Sequence, residues 1–250
     1  MKEIHVRGRP RETDARAAAR ELPRVGALVL AAGRGRRMGG PNKLIEPVNG
    51  VPIVARVVDA ALEAGAEPVV MVTGHRANQV EAALEGRPVK WVANPRWAEG
   101  MSTSLAAGLA VLEREVEGAL VCLGDMPRVT ATDLRALMDA FGDGRGGAAW
   151  VPVYEGKRGN PVLWASTCFS RLRRVRGDWG GRALLAELED EVVEVAVGGA
   201  GVLVDVDTPA ALARARLPSI RPEGEARPVG GDAAVAPEAP RDPAARGRGS

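Results

Sequence analysis

The sequence predicts an α/β domain built on a mostly parallel sheet with a mixed edge. Three observations predict it. From about residue 26 to residue 142, short apolar runs bounded by glycine alternate with stretches of helical periodicity. That is the rhythm of strands covered on both faces by crossover helices. Beyond about residue 150 the alternation loosens into shorter runs, and both ends of the chain are polar.

Taken in order, "GALVLAA" (26–32), "PVVMVTG" (68–74), "PVKWVAN" (88–94) and "GALVCLGD" (118–125) read as buried parallel strands. "PIVARVVDAALEAG" (52–65), "ANQVEAALEG" (77–86) and "MSTSLAAGLAVLERE" (101–115) carry apolar residues at i, i+3, i+4. They read as helices, the first two closing on glycine. "TATDLRALMDAFG" (130–142) follows, with Thr130 or Thr132 as N-cap. "AAWVPVYEG", "GNPVLWAS" and "DEVVEVAVGGAGVLVDVDTP" then supply shorter, partly antiparallel strands at one edge.

The folded unit spans residues 25–216. Residues 1–24 form a polar, basic extension. Residues 217–250, a Pro/Ala/Gly/Arg mixture, cannot bury enough surface to offset their ordering entropy and read as a disordered tail.

Composition narrows the function. With 250 residues and 46% hydrophobic content, the chain can bury one sizeable core or two small ones. A formal net charge of +2 gives no reason to expect nucleic acid or a membrane surface as partner. Aromatic content of 3% leaves little material for base-stacking platforms. Two cysteines, Cys122 and Cys168, cannot form a disulfide framework, and His5 and His75 lack partners at zinc-ligand spacing. No apolar run reaches a membrane span, and the N-terminus has no secretory h-region. A soluble cytoplasmic protein is expected.

The chemistry concentrates in "LVLAAGRGRRMGGPNKL" (28–44), a strand running into a glycine-rich, basic turn. In open α/β sheets ligands bind at the carboxyl ends of the strands. Gly33 and Gly35 let backbone N–H groups approach an anion, and Arg37 and Lys43 add charge-assisted bonds to phosphate. Spacing excludes a G-x-G-x-x-G fingerprint, because Met38 stands where its last glycine belongs, and Lys43 in "NKL" excludes a P-loop. A solvated basic turn explains the same loop, so the loop alone does not decide.

Two acidic segments add weight. "LGDMP" places Asp125 just after an apolar strand, and "LVDVDTP" places Asp205 and Asp207 at the end of another. Two carboxylates about 4 Å apart at an effective dielectric near 20 repel by about 4 kcal/mol. Bringing them together calls for a cation, and Mg²⁺ with a triphosphate supplies one. Helix capping explains one of Asp207 and Thr208, but not Asp125 before Met126–Pro127. Ser102, Thr103 and Ser104 open a helix after Gly100, as an anion or pterin site or as plain caps. Asn94 reads either as a base contact or as an Asn–Pro turn.

"LVLAAGRGRRMGGPNKL" together with "GDMP" (124–127) resembles the signature of MobA-like nucleotidyltransferases. "NKL", "NPRWAEGMSTSL" (94–105), "GDMP" and "GNPV" (159–162) are most similar to molybdenum cofactor cytidylyltransferases, over about residues 25–216 and in the expected order. The resemblance implies a Rossmann-like three-layer sandwich of the nucleotide-diphospho-sugar transferase type. It implies transfer of CMP from CTP to the terminal phosphate of molybdopterin, with pyrophosphate released. Leu30, Ala31, Ala32, Gly33, Gly35, Thr73, Gly74, Asn94 and Ser104 would line the nucleotide, with Arg37 and Lys43 on its phosphates. Lys43, Arg37 and Asp125 would be catalytic. Asp125 would hold Mg²⁺, with Asp207 as second ligand or outer partner. Asn160, Asp178 and Arg182 would meet the acceptor, the latter two within "RVRGDWGGRALL" (174–185).

Guanine-using relatives read "LAGG" where this chain has "LAAG" (30–33), which favours cytosine. Many relatives carry serine at the Gly35 position and histidine at the Asn160 position. A GTP-dependent guanylyltransferase and a sugar-phosphate nucleotidyltransferase are therefore the alternatives. A molybdoenzyme or its chaperone is the expected protein partner.

Overall fold

The computed structural model describes residues 22–33, 42–144 and 146–217. Its centre is β1 (Val25–Ala31), nearly every residue of which is buried. It pairs in parallel with β4 (Val69–Thr73) on one side and β6 (Gly118–Leu123) on the other. A strand flanked this way must be apolar on both faces, and "VGALVLA" is. β5 (Lys90–Ala93) extends the parallel half beyond β4.

On the other side the chain reverses. β9 (Val162–Ala165) runs antiparallel to both β6 and β7 (Ala149–Tyr154), and β10 (Val192–Ala196) closes that edge parallel to β7. The order is β10-β7-β9-β6-β1-β4-β5, with β8 (Lys157–Arg158) paired to β7. The expected mixed edge is therefore present. A separate hairpin, β2 (Pro47–Val48) and β3 (Val51–Pro52), turns on Asn49 and Gly50, both at positive φ.

Helices cover both faces. α1 (Ile53–Ala64), α2 (Ala77–Ala83) and α4 (Ala131–Gly142) lie on one. Val54, Val58, Leu134 and Leu137 form the core there with Val29 and Met71. α3 (Met101–Leu112), α5 (Phe169–Leu172) and α6 (Arg182–Glu187) cover the other, where Leu105, Leu109 and Leu172 meet Leu28 and Val72. α3 lies so close to β1 that a Cβ on Gly108 would collide with Leu28. α1 ends on Gly65 in the left-handed conformation, and Thr130 with Asp133 makes a full capping box on α4. α7 (Pro209–Ala215) packs Leu212 and Ala215 against Val48 and Ile53.

Three expectations change. β5 is an exposed edge strand, not one covered on both faces: Lys90, Trp91 and Ala93 face solvent. The second helix stops at Ala83, short of Gly86, because Leu84 leaves the helical conformation. The apolar run before Asp205 and Asp207 is not a strand. It forms a 3-10 turn (Ala200–Leu203) and an extended segment outside any ladder. Among the described residues, no helix is long and apolar enough to cross a membrane.

Candidate active site

The carboxyl ends of β6, β1, β4 and β5 form one rim, and local packing shapes each end. β1 runs out at Ala31; Ala32 stays buried, and its carbonyl accepts a hydrogen bond from the His75 N–H just beyond β4 (3.1 Å). Gly33 follows, exposed, with no atom of the described residues near the position a Cβ would take. Beside it, Gly74 is obligatory: a Cβ there would lie 2.7 Å from Trp97 and 2.9 Å from the Ala32 methyl. The Trp97 ring also packs on His75, with centroids 5.1 Å apart.

Asp125 is positioned by its neighbours. The Gly124 N–H bonds to the Leu30 carbonyl (3.0 Å), and a Cβ on Gly124 would lie 2.9 Å from that same oxygen. Glycine lets β6 hug β1 before the chain turns outward. Met126 is buried behind it, and the Arg56 Nε donates to the Pro127 carbonyl from α1 (3.1 Å).

"NKL" divides its labour among three residues. The Asn42 side chain accepts from the Leu44 N–H (3.2 Å) and caps a short 3-10 turn, and Leu44 is buried as its anchor. Lys43 is thereby aimed at the rim. Its Nζ donates to Asp125 Oδ2 at 2.6 Å and to Asp207 Oδ1 at 2.5 Å. Asp207 reaches this point because the Val206 N–H bonds the Asp125 carbonyl (2.9 Å) while Val206 itself is buried. Thr208, not Asp207, caps α7, accepting from the Ala211 N–H (3.1 Å).

The cluster is partly sheltered, with Lys43 10% exposed, Asp125 20% and Asp207 31%. Burial opposes the charge on Lys43, but Asp125 and Asp207 outweigh it and hold the ammonium above the ordinary lysine range. Burial likewise raises the Asp125 carboxyl; Lys43 pulls it back, but Asp207 and Asp205 add to the rise. The two shifts agree once charges are counted. Asp125 and Asp207 share the one ammonium, while Asp205 adds its charge to Asp125.

The remaining expected residues are placed as follows. Ala31 and Leu30 sit at the β1 end and Thr73 at the β4 end, with Thr73 buried. Asn94 is buried and fully engaged: its amide nitrogen donates to Thr103 Oγ1 and Ser104 Oγ (2.9 Å each), and its Oδ1 accepts from the Arg96 N–H (2.9 Å). The Asn–Pro turn describes it, and Ser104 serves as its acceptor. The Asp178 Oδ1 accepts from the Met101 N–H (3.1 Å) and so caps α3. Arg182 opens α6, exposed. The Asn160 N–H bonds the Val202 carbonyl (2.9 Å), tying it to the segment that leads to Asp207. Gly35 and Arg37 lie outside the described residues.

Lys43, Asp125 and Asp207 thus meet, with Gly33 and Gly74 along the same strand-end rim. Asn94 and Asp178 bond to residues of α3. The Val206–Asp125 bond and the packing of Gly74 against Trp97 are visible only in three dimensions. The "GD" pair before Met126 was the one local hint that β6 needs a bare backbone at its end. Among the described residues no three His, Cys, Asp or Glu side chains gather to hold a metal ion by themselves. A cleft of about 470 Å³ lies beside α3 between Arg96 and Arg176, and the Lys43 cluster takes no part in its walls.

The mostly parallel sheet gathers these groups beside its strand ends, and the class of the fold is that of an NTP transferase domain. The chain belongs to the MobA-like NTP transferase domain family, whose model matches residues 27–192. It is 31% identical over 172 residues to the nicotine blue oxidoreductase of Paenarthrobacter nicotinovorans, covering 67% of this chain and 84% of that one. A solved nucleotidyl transferase from Methanothermobacter thermautotroptrophicus superimposes with a TM-score of 0.68 at 28% identity, covering 77% of this chain and 96% of that one. Rv0371C of Mycobacterium tuberculosis H37Rv, solved in complex with manganese, gives a TM-score of 0.66 at 28% identity over 77% and 97%. The bifunctional protein GlmU of Halorhodospira halophila is 40% identical over 121 residues, 48% of this chain. The chain spans only about a quarter of that relative's length, 25%.

Proposed function

We propose that this chain is a nucleotidyltransferase that moves CMP from CTP to the terminal phosphate of molybdopterin, releasing pyrophosphate. The observation that carries the reaction class is the meeting of Lys43, Asp125 and Asp207 on the rim that also bears Gly33. Such transfer relies on positioning and charge stabilisation and needs no covalent nucleophile.

The donor set fits Mg²⁺. It offers hard carboxylate oxygens from two residues that share one ammonium, and Mg²⁺ is commonly held by one or two carboxylates plus substrate phosphate and water. Asp125 and Asp207 would hold the ion, with Asp125 the more buried and better fixed of the two. Bound there, it would neutralise charge developing on the phosphate oxygens. The manganese complex of the Mycobacterium tuberculosis relative supports a divalent site in the family fold.

The chain's own groups do the rest. Gly33, with no described side chain over its Cβ position, offers its backbone to the triphosphate. Lys43 and Arg37 stabilise the departing pyrophosphate. The preference for cytosine over guanine rests on "LAAG" (30–33) at the end of β1, where guanine-using relatives read "LAGG". Asn160, tied to the Asp207 segment, Asp178 and the exposed Arg182 are the acceptor contacts. Residues 25–216 are the transferase unit, cytoplasmic, with 1–24 and 217–250 flanking it and a molybdoenzyme or its chaperone receiving the product.

The test is pyrophosphate release with molybdopterin, Mg²⁺ and either CTP or GTP. Faster turnover with GTP overturns the cytosine assignment. A second reading, a sugar-phosphate nucleotidyltransferase, is favoured by the GlmU match, and a panel of sugar 1-phosphates as acceptors separates the two. Loss of nicotine blue without any triphosphate would instead point to the activity named for the Paenarthrobacter relative.

A further inference from the structure

We propose that Lys43 is a built-in stand-in for the divalent cation, neutralising Asp125 and Asp207 until metal and triphosphate arrive, then releasing both carboxylates and turning to the phosphates. This rests on the reading that Asp125 and Asp207 hold the metal. It adds that one side chain alternates between two partners.

Geometry supports the first position. A single Nζ contacts one oxygen of each carboxylate, at 2.6 and 2.5 Å, so the ammonium bridges the pair as a bound cation would. Both carboxylates come from distant segments and are partly withdrawn from water, so without a cation between them they would repel. A divalent ion and an ammonium cannot share that gap, since like charges that close repel strongly in a sheltered site.

Construction supports the exchange. The Lys43 backbone is fixed by the Asn42 cap and the buried Leu44, so only its four-carbon stem need move. Lysine suits such a move: its ammonium is a compact charge on a flexible stem, whereas arginine would lock a carboxylate in a two-pronged grip. A triphosphate at Gly33 offers the ammonium new partners when it leaves. Metal and nucleotide therefore strengthen each other's binding, because each relieves the cost the other would meet alone.

The experiment compares Mn²⁺ binding, followed by the paramagnetic resonance of free Mn²⁺, in the native chain, Lys43→Met and Asp125→Asn, with and without a non-hydrolysable CTP analogue. Without nucleotide, Lys43→Met binds Mn²⁺ roughly tenfold more tightly than the native chain, and Asp125→Asn loses binding. With the analogue, the native chain gains affinity steeply while Lys43→Met gains little. Equal or weaker Mn²⁺ binding by Lys43→Met, with the native chain binding normally, overturns the stand-in role and leaves the metal reading intact. No Mn²⁺ binding by any chain overturns the metal reading and this inference with it. Should Lys43→Met not fold, brief amine acylation of the native chain decides. Lys43 labelling, measured by mass spectrometry against the exposed Lys157, rises several-fold when Mn²⁺ is added. Unchanged labelling overturns the proposal.

Discussion

Lys43 and Asp207 stand 164 residues apart in the chain and 2.5 Å apart in space. No local pattern produces that contact. It follows from two bonds elsewhere: the Asn42 cap that aims Lys43, and the Val206 N–H that docks the last segment onto the Asp125 backbone.

Asp125→Asn removes the more buried carboxylate yet keeps its shape. Turnover, read as pyrophosphate release, falls on the order of 10²–10³-fold, the usual loss for one preorganised electrostatic group. The thermal midpoint changes little by comparison. Near-native turnover would remove Asp125 from the chemistry.

Gly124→Ala puts a Cβ 2.9 Å from the Leu30 carbonyl. Neither β1 nor β6 can yield without moving its strand end, so urea unfolding reports a loss of about 1–3 kcal/mol. Activity drops further than stability, because the displaced residue is next to Asp125.

Asn94→Ala discriminates between two readings of one residue. The buried side chain makes three hydrogen bonds, one fully and two partly buried, at 2.9 Å each. Its loss leaves Thr103, Ser104 and the Arg96 N–H without that partner, at a cost of about 1–3 kcal/mol in urea. The CTP-to-GTP preference stays unchanged. A shifted preference at full stability would make Asn94 a base contact after all.

Thr130→Ala breaks the capping box at the start of α4. Thermal unfolding gives a loss of about 0.5–2 kcal/mol. Specific activity at a temperature where both proteins are folded is unchanged.

The thiols are sealed. Burial pushes the Cys122 thiol up to about 12 and raises Cys168 as well. Since the thiolate is the reactive form, neither reacts with Ellman's reagent at pH 8 in the native protein, and both react in urea. Rapid native labelling at Cys122 would show that β6 opens.

Much of this was legible in the sequence. The apolar runs at 26–32, 68–74 and 118–125 became β1, β4 and β6 because central parallel strands leave an unbroken hydrophobic signature. Lys43 and Asp125 were both picked out, and they touch. Other features were hidden for definite reasons. "PVKWVAN" is as apolar as its neighbours, but composition carries no record of which strand lies outermost, and Trp91 is 42% exposed. "GVLVDVD" has the β-branched alternation of a strand, yet it pairs through Val206 to a turn rather than to a ladder. Asn49–Gly50, a strong hairpin signal, marks the β2–β3 turn that the apolar pattern alone passes over. Lys43 was expected on phosphate. Its position on carboxylates depends on Asp207, whose arrival no spacing rule predicts.

The segment from Ala200 to Asp207 follows the last strand of the sheet. During synthesis, a ribosome that has delivered Ala196 has supplied every described strand but only one member of the acidic pair. The eleven residues that follow Ala196 bring in the second carboxylate, and with it the Lys43–Asp207 contact, only after the sheet is complete.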